Sequence, residues 1–378
     1  MIYLFIDSWF DWLHAHGLGF LRVFTSPIFQ ATASILVSFL ICIAAGPSVI
    51  RWLRRQKIGD QANFDQVEVD KLMAGKKGTP TMGGILIISA IAVTILLLAD
   101  LRNFYVDMGL LCLLWLGGVG AADDWLKLTA GRRSGSRQGL TSFEKLLFQV
   151  GLSIVLACFT YYYGRNLPHK LYFPFLKSVD IPLNLVGFVA IATVVMTGTS
   201  NAVNLTDGLD GLAAGCMAIV SFTFCVLALI VGNLAWANEL LIPYAQKSDQ
   251  MAVLAGAMTG SCLGFLWFNC NPAAVFMGDT GSLALGGLIA YIAIVIRQEL
   301  VLFLVGGIFV VEAVSVMLQV GYFKYTRLRF GEGRRIFLMS PLHHHFQRKG
   351  WTETQVVVRF WLIGAMLAAM ALATVKLR

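Results

Sequence analysis

Asn201-Ala202-Val203-Asn204-Leu205-Thr206-Asp207-Gly208-Leu209-Asp210-Gly211 is a short polar island in a very apolar chain. Val186–Met196 precedes it and Leu212–Val231 follows it, both almost free of charge. A charge inside hydrocarbon costs roughly 2.5–3.5 kcal/mol even on lenient insertion scales. Two carboxylates and two amides at such a boundary therefore need a specific role. Glycine follows each aspartate, so the backbone there can approach a ligand closely. The stretch reads as the start of a helix whose N-terminal end suits an anion. Capping is the plainer use of Asp207 and Asp210, but a cap needs one such residue and not four polar groups.

The surrounding composition agrees with that boundary. Of 378 residues, 57% are hydrophobic and 13% charged, where soluble domains average about 25% charged. The chain is expected to be an all-α, polytopic integral membrane protein forming a single domain. Apolar runs of helical spanning length lie near Ile28–Trp52, Thr81–Ala99, Tyr105–Ala122, Phe143–Tyr163, Ile181–Thr197, Gly208–Val231, Met251–Phe268, Gly281–Ile296, Leu300–Tyr322 and Val356–Val375. That makes about ten membrane helices. Residues 1–20 are expected to form a short interfacial helix. The seven cysteines lie within or beside apolar runs and form no CxxC pair, which predicts packing side chains and neither disulfides nor zinc.

The net charge of +8 comes from basic loops and calls for no nucleic-acid partner. If the first span runs outside to inside, the segments 51–80, 123–145 and 323–355 face inward, and they carry Arg51, Lys76, Lys77, Lys127, Lys145, Arg327 and Arg334 among others. Positive charge marks the cytoplasmic side, so both termini are expected in the periplasm and every polar island on the cytoplasmic face.

Each island brings a kind of chemistry. Gly75–Gly84 combines lysines, hydroxyls and glycines before a helix, which suits phosphate. Asp123-Asp124 ends the third span, where the helix dipole disfavours acid unless a cation is near. Mg²⁺ is the natural cation, because it takes one or two carboxylates plus phosphate oxygens. Thr141 and Glu144 have capping-box spacing, and Lys145 sits in a first turn that repels cations unless an acid or phosphate lies beside it. Asp279 stands between Gly278 and the Thr280-Gly281 pair at a helix start, a cap position. Phe276 offers a ring that could stack on a nucleobase. His343-His344-His345, followed by Arg348 and Lys349, suits donation to phosphate. Glu312 and Gln319 are polar groups inside the ninth span. The inventory fits phosphoryl transfer between a soluble nucleotide conjugate and a lipid-borne acceptor.

Leu72–Gly84, Asp123-Asp124, Asn201–Gly211 and Ser340–Trp351 closely resemble the phospho-N-acetylmuramoyl-pentapeptide transferases, within the polyprenyl-phosphate aminosugar-1-phosphate transferases. The histidine block with Gly350-Trp351 is what points to the muramoyl branch rather than to its sister transferases of N-acetylglucosamine 1-phosphate. The resemblance implies transfer from UDP-N-acetylmuramoyl-pentapeptide to undecaprenyl phosphate, giving lipid I and UMP in the bacterial inner membrane, by a Mg²⁺-dependent homodimer. It implies Asp279 as the best metal ligand with Asp123 and Asp124 beside it, and Lys145, His343 and His344 in catalysis. Lys76, Gly208, Leu209, Asp210, Asn269 and Phe276 resemble the uridine pocket, Thr81, Lys145, Asn204, Asp207, Gln319 and His344 would line the phosphate and sugar region, and His345 is expected among the substrate-binding residues.

Overall fold

The structure, a computed structural model, describes residues 1–56, 78–130, 139–164, 169–176 and 180–375. Lys76 and Lys77 lie outside the described residues, as do Arg132, Arg133 and Arg137. Two short helices, α1 (Ile2–Ser8) and α2 (Phe10–Ala15), and a 3-10 segment (Gly19–Thr25) precede α3 (Pro27–Arg55). Then come α4 (Gly84–Leu98), α5 (Phe104–Ala130), α6 (Ser142–Tyr163), α7 (Leu185–Thr206), α8 (Leu212–Val231), the short α9 (Leu234–Glu239) and α10 (Met251–Asn269). The chain closes with α11 (Gly278–Val295), α12 (Glu299–Val305), α13 (Gly307–Phe330), α14 (Leu342–Arg348) and α15 (Glu353–Thr374). The β-structure among the described residues is a small antiparallel ribbon, β1 (Lys170–Tyr172) with β2 (Asp180–Pro182), in which Leu171 faces Ile181.

Nine of the described helices are long and apolar enough to cross a membrane, and the 15-residue α4 is a shorter apolar helix. The protein is thus an all-α, multi-pass membrane protein. α11 is the central post: 89% of its span is buried, against 28% for α3 and α13 at the periphery. Glycine makes that density possible. Gly256, Gly260 and Gly264 recur every fourth residue on α10, and a side chain at Gly260 would collide with the Ile35 carbonyl of α3. Without a hydrophobic drive between helices in lipid, such close backbone approach is a main source of cohesion.

Three expectations are corrected. The run Ile181–Thr197 was expected as one span, yet its first residues pair as β2 and the helix starts after the Asn184 cap, then continues to Thr206 because nothing before Asp207 breaks it. The polar stretch is therefore the last turn of α7 plus a turn, and the start of α8 lies beyond it. The N-cap of α8 is Gly211, with φ +79° and no side-chain cap, so neither Asp207 nor Asp210 caps that helix. The ninth span Leu300–Tyr322 is broken at Gly306-Gly307 into α12 and α13, and α13 runs on to Phe330, into what was expected to be loop.

Candidate active site

Asp123 and Asp124 sit inside α5, which continues to Ala130, so they are not at its C-terminal end as expected. Neighbours on a helix diverge by about 100°, and these two do different work. Asp124 reaches the first turn of α11: Oδ2 accepts from the Thr280 N–H at 2.9 Å and its hydroxyl at 2.6 Å, and Oδ1 accepts from the Asp279 N–H at 3.2 Å. It caps a helix that is not its own. Asp279 was expected at a cap position, but α11 has no side-chain cap from its own sequence. That leaves the Asp279 carboxylate available for other partners.

Asp123, fully buried, accepts from the Leu140 N–H at 2.7 Å and pairs with Lys127 at 2.7 Å and Lys145 at 2.8 Å. Asp279 Oδ2 pairs with the same two ammonium groups, Lys145 at 2.7 Å and Lys127 at 3.2 Å. Lys145 is in the first turn of α6, behind the Thr141–Glu144 capping box that the spacing predicts. The acids beside it resolve its conflict with the helix dipole. One oxygen from each of Asp123, Asp124 and Asp279 lies within 4.8 Å of the others, a grouping able to hold a metal ion. Lys127 was not expected in the site, although its position four residues after Asp123 was a readable signal.

Of the other expected residues, Thr81 and Asn204 contact the start of α11, and the rest are held by partners of their own. Thr81 lies beside Gly278, because Gly83 and Gly84 donate to the Phe276 and Met277 carbonyls and Phe276 donates to the Pro80 carbonyl at 2.8 Å. Asn204 accepts from the Ser282 hydroxyl at 2.8 Å, tying α7 to α11. Asp207 follows; burial, then the charges of Asp279 and Asp124, raise its carboxyl above the usual carboxylate range. Leu209 is buried, and Asp210 accepts from Asn271 and from the Ala273 N–H, both at 3.1 Å. Asn269 accepts from the Gly211 N–H at 3.0 Å and donates to the Val275 carbonyl. Glu353, at the start of α15, accepts from the Asp210 N–H at 2.8 Å and was not expected here.

The three histidines part company. His343 is fully buried and faces Gly208, whereas His344 turns to Gln347 at 2.8 Å. His345 accepts from the Leu338 N–H at 3.1 Å, with its basicity lowered by burial and Lys349. Gln319 accepts from the Ile336 and Phe337 N–H groups, so it folds the 331–341 loop back against α13.

The profile of glycosyl transferase family 4 matches residues 106–297, just over half of the chain. The chain belongs to that family. A signature of phospho-N-acetylmuramoyl-pentapeptide transferases matches residues 76–88, the segment that reaches Thr81 and the start of α4. This family 4 member is a phosphoglycosyl transferase acting in peptidoglycan synthesis. It moves the phospho-N-acetylmuramoyl-pentapeptide unit from a nucleotide-linked donor to a membrane lipid carrier. The sister transferases of N-acetylglucosamine 1-phosphate are less supported.

Proposed function

We propose that the donor is UDP-N-acetylmuramoyl-pentapeptide and the acceptor undecaprenyl phosphate, with lipid I and UMP as products. The observation that carries this reading is the convergence of Asp123, Asp124 and Asp279 from two helices, with Lys127 and Lys145 between them. The basic segments that carry Lys127, Lys145 and Arg348 support a site on the cytoplasmic face of the inner membrane with both termini in the periplasm, because positive charge marks the cytoplasmic side.

One pyrophosphate linkage is exchanged for another, so alignment and charge neutralisation carry the catalysis. An oxygen of the lipid phosphate attacks the phosphorus that bears the sugar. The bond from that phosphorus to UMP breaks, and UMP leaves with the electron pair. Lys127 and Lys145 offset the repulsion between the approaching phosphates, exchanging carboxylate partners for phosphate oxygens. Three carboxylates in reach of one point are a hard-oxygen donor set, which fits Mg²⁺. Asp123, Asp124 and Asp279 would hold it, and bound there it supplies positive charge to the phosphate oxygens. Asp279 Oδ2 faces two ammonium groups, which suits holding a cation better than nucleophilic attack. Gly208, Leu209, Asp210, Asn269 and Phe276 hold the uridine end of the donor, and Thr81, Asn204 and Asp207 line the phosphate and sugar region that adjoins it at Gly208.

Two measurements test this. UMP release is expected to require both substrates and Mg²⁺, and chelation should lower it by about 10²-fold or more, restored by added Mg²⁺. Release that persists in chelator would remove the metal from the reading. Phe276→Ala is expected to raise KM for the UDP substrate about tenfold, the scale of one stacked base, with kcat changed far less. An unchanged KM would remove the ring from the uridine pocket.

A further inference from the structure

Glu312 lies inside the membrane-spanning α13 and is fully buried. A carboxylate in that position is costly unless it is paired and hydrogen-bonded. Both of its oxygens go to one residue. Oε1 accepts from the His343 backbone N–H at 3.1 Å, and Oε2 faces the ring Nδ1 at 3.0 Å. His343 is fully buried as well, so the two form a closed acid–imidazole pair.

The far side of that ring is the informative one. His343 Nε2 is buried and has no hydrogen-bond partner among the described residues. Buried polar atoms are nearly always satisfied, so such an orphan calls for an explanation. It is aimed at Gly208: a Cβ placed there would collide with Nε2 and crowd Cε1. Gly208 belongs to the turn between α7 and α8, directly after Asp207. The ring of His344 packs against His343 with centroids 4.2 Å apart and closes that flank.

We infer that Glu312 is a positioning residue for the transfer reaction, holding His343 with Nδ1 protonated so that Nε2 is presented across Gly208 to the sugar-phosphate end of the donor. A carboxylate only accepts, so the proton on Nδ1 is dictated by its partner. Nε2 then carries either the lone pair of the neutral ring or a second proton that makes an imidazolium donor for phosphate. In the second state the buried pair is neutral overall, which suits its place in the membrane. The inference rests on the donor placement proposed above.

The test begins with the wild-type protein. Six histidines make selective ¹⁵N-histidine labelling tractable, and the His343 resonance, assigned with His343→Gln, is expected to show a protonated Nδ1. In Glu312→Gln the amide oxygen accepts from the backbone N–H and the amide NH₂ faces Nδ1. The ring is then expected to invert, with the proton on Nε2. Turnover of Glu312→Gln should fall roughly 10²-fold, the scale of a mispositioned acid–base group, with KM for the UDP substrate nearly unchanged. Adding Glu312→Gln to His343→Gln should cost nothing further. An unprotonated Nδ1 in the wild type overturns the inference, and does so even if the variant fails to fold. Wild-type turnover in Glu312→Gln while His343→Gln is inactive overturns the positioning role alone. Wild-type turnover in His343→Gln would instead take the histidine away from the donor, and the inference with it.

Discussion

Asp279→Asn is expected to give a folded protein whose turnover is lower by about 10³-fold or more. The carboxylate of Asp279 does not cap α11; that work is done by Asp124 from α5. Its Oδ2 instead faces Lys145 at 2.7 Å and Lys127 at 3.2 Å at a largely buried point. The amide keeps the shape and removes the charge. It therefore leaves two ammonium groups short of one partner and weakens the donor set for a cation, while the helix start stays intact. Asp124→Asn should behave differently. Only one amide oxygen can accept, so some of the bonds from the Thr280 and Asp279 N–H groups and the Thr280 hydroxyl are lost. Bonds to a charged group are worth about 1.5–3 kcal/mol each, so this variant should lose stability as well as activity. Thermal unfolding in detergent and UMP release, measured on both, separate the two roles. Wild-type turnover in Asp279→Asn would end its assignment as a ligand.

The second large effect is expected from a position with no functional group. Gly120 of α5 packs on the backbone of α11 so closely that a Cβ would collide with the Asp279 carbonyl and crowd the Thr280 Cα. Backbone cannot rotate out of the way as a side chain can. Gly120→Ala is therefore expected to destabilise the protein by about 3 kcal/mol or more, and to cut turnover because the atoms it displaces carry Asp279. Gly118 is the control on the same helix. Nothing lies within 4 Å of its would-be Cβ, so Gly118→Ala should gain up to about 1 kcal/mol from helix propensity. Opposite signs of the two melting shifts are the expected result. Equal shifts would mean that α5 and α11 are not in backbone contact.

The membrane architecture was legible because bilayer thickness imposes a length on every apolar run. The exceptions have local causes. α4 is short, and the ninth run breaks where Gly306 and Gly307 stand together. Asp123 and Asp124 were legible for a related reason, since hydrocarbon makes each carboxylate conspicuous, whereas Asp279 was joined to them only by the family resemblance. What each acid does was not. A cap supplied by Asp124 to a helix more than 150 positions later leaves no spacing to read, and it releases Asp279 from the duty its own neighbours advertise.

Chain order alone determined that this is a multi-pass helical protein with many of its polar and charged side chains gathered in a few islands. Each of those signals is local, written in runs of about twenty residues or fewer. The tertiary structure decided that α7 ends in the polar turn and α8 begins after it, that Lys127 joins Lys145 between two aspartates, and that one histidine of three is driven inward onto Glu312. Those outcomes depend on which helices meet, and at what depth. Packing density and the need to neutralise buried charge settle both, and neither is a property of any single stretch.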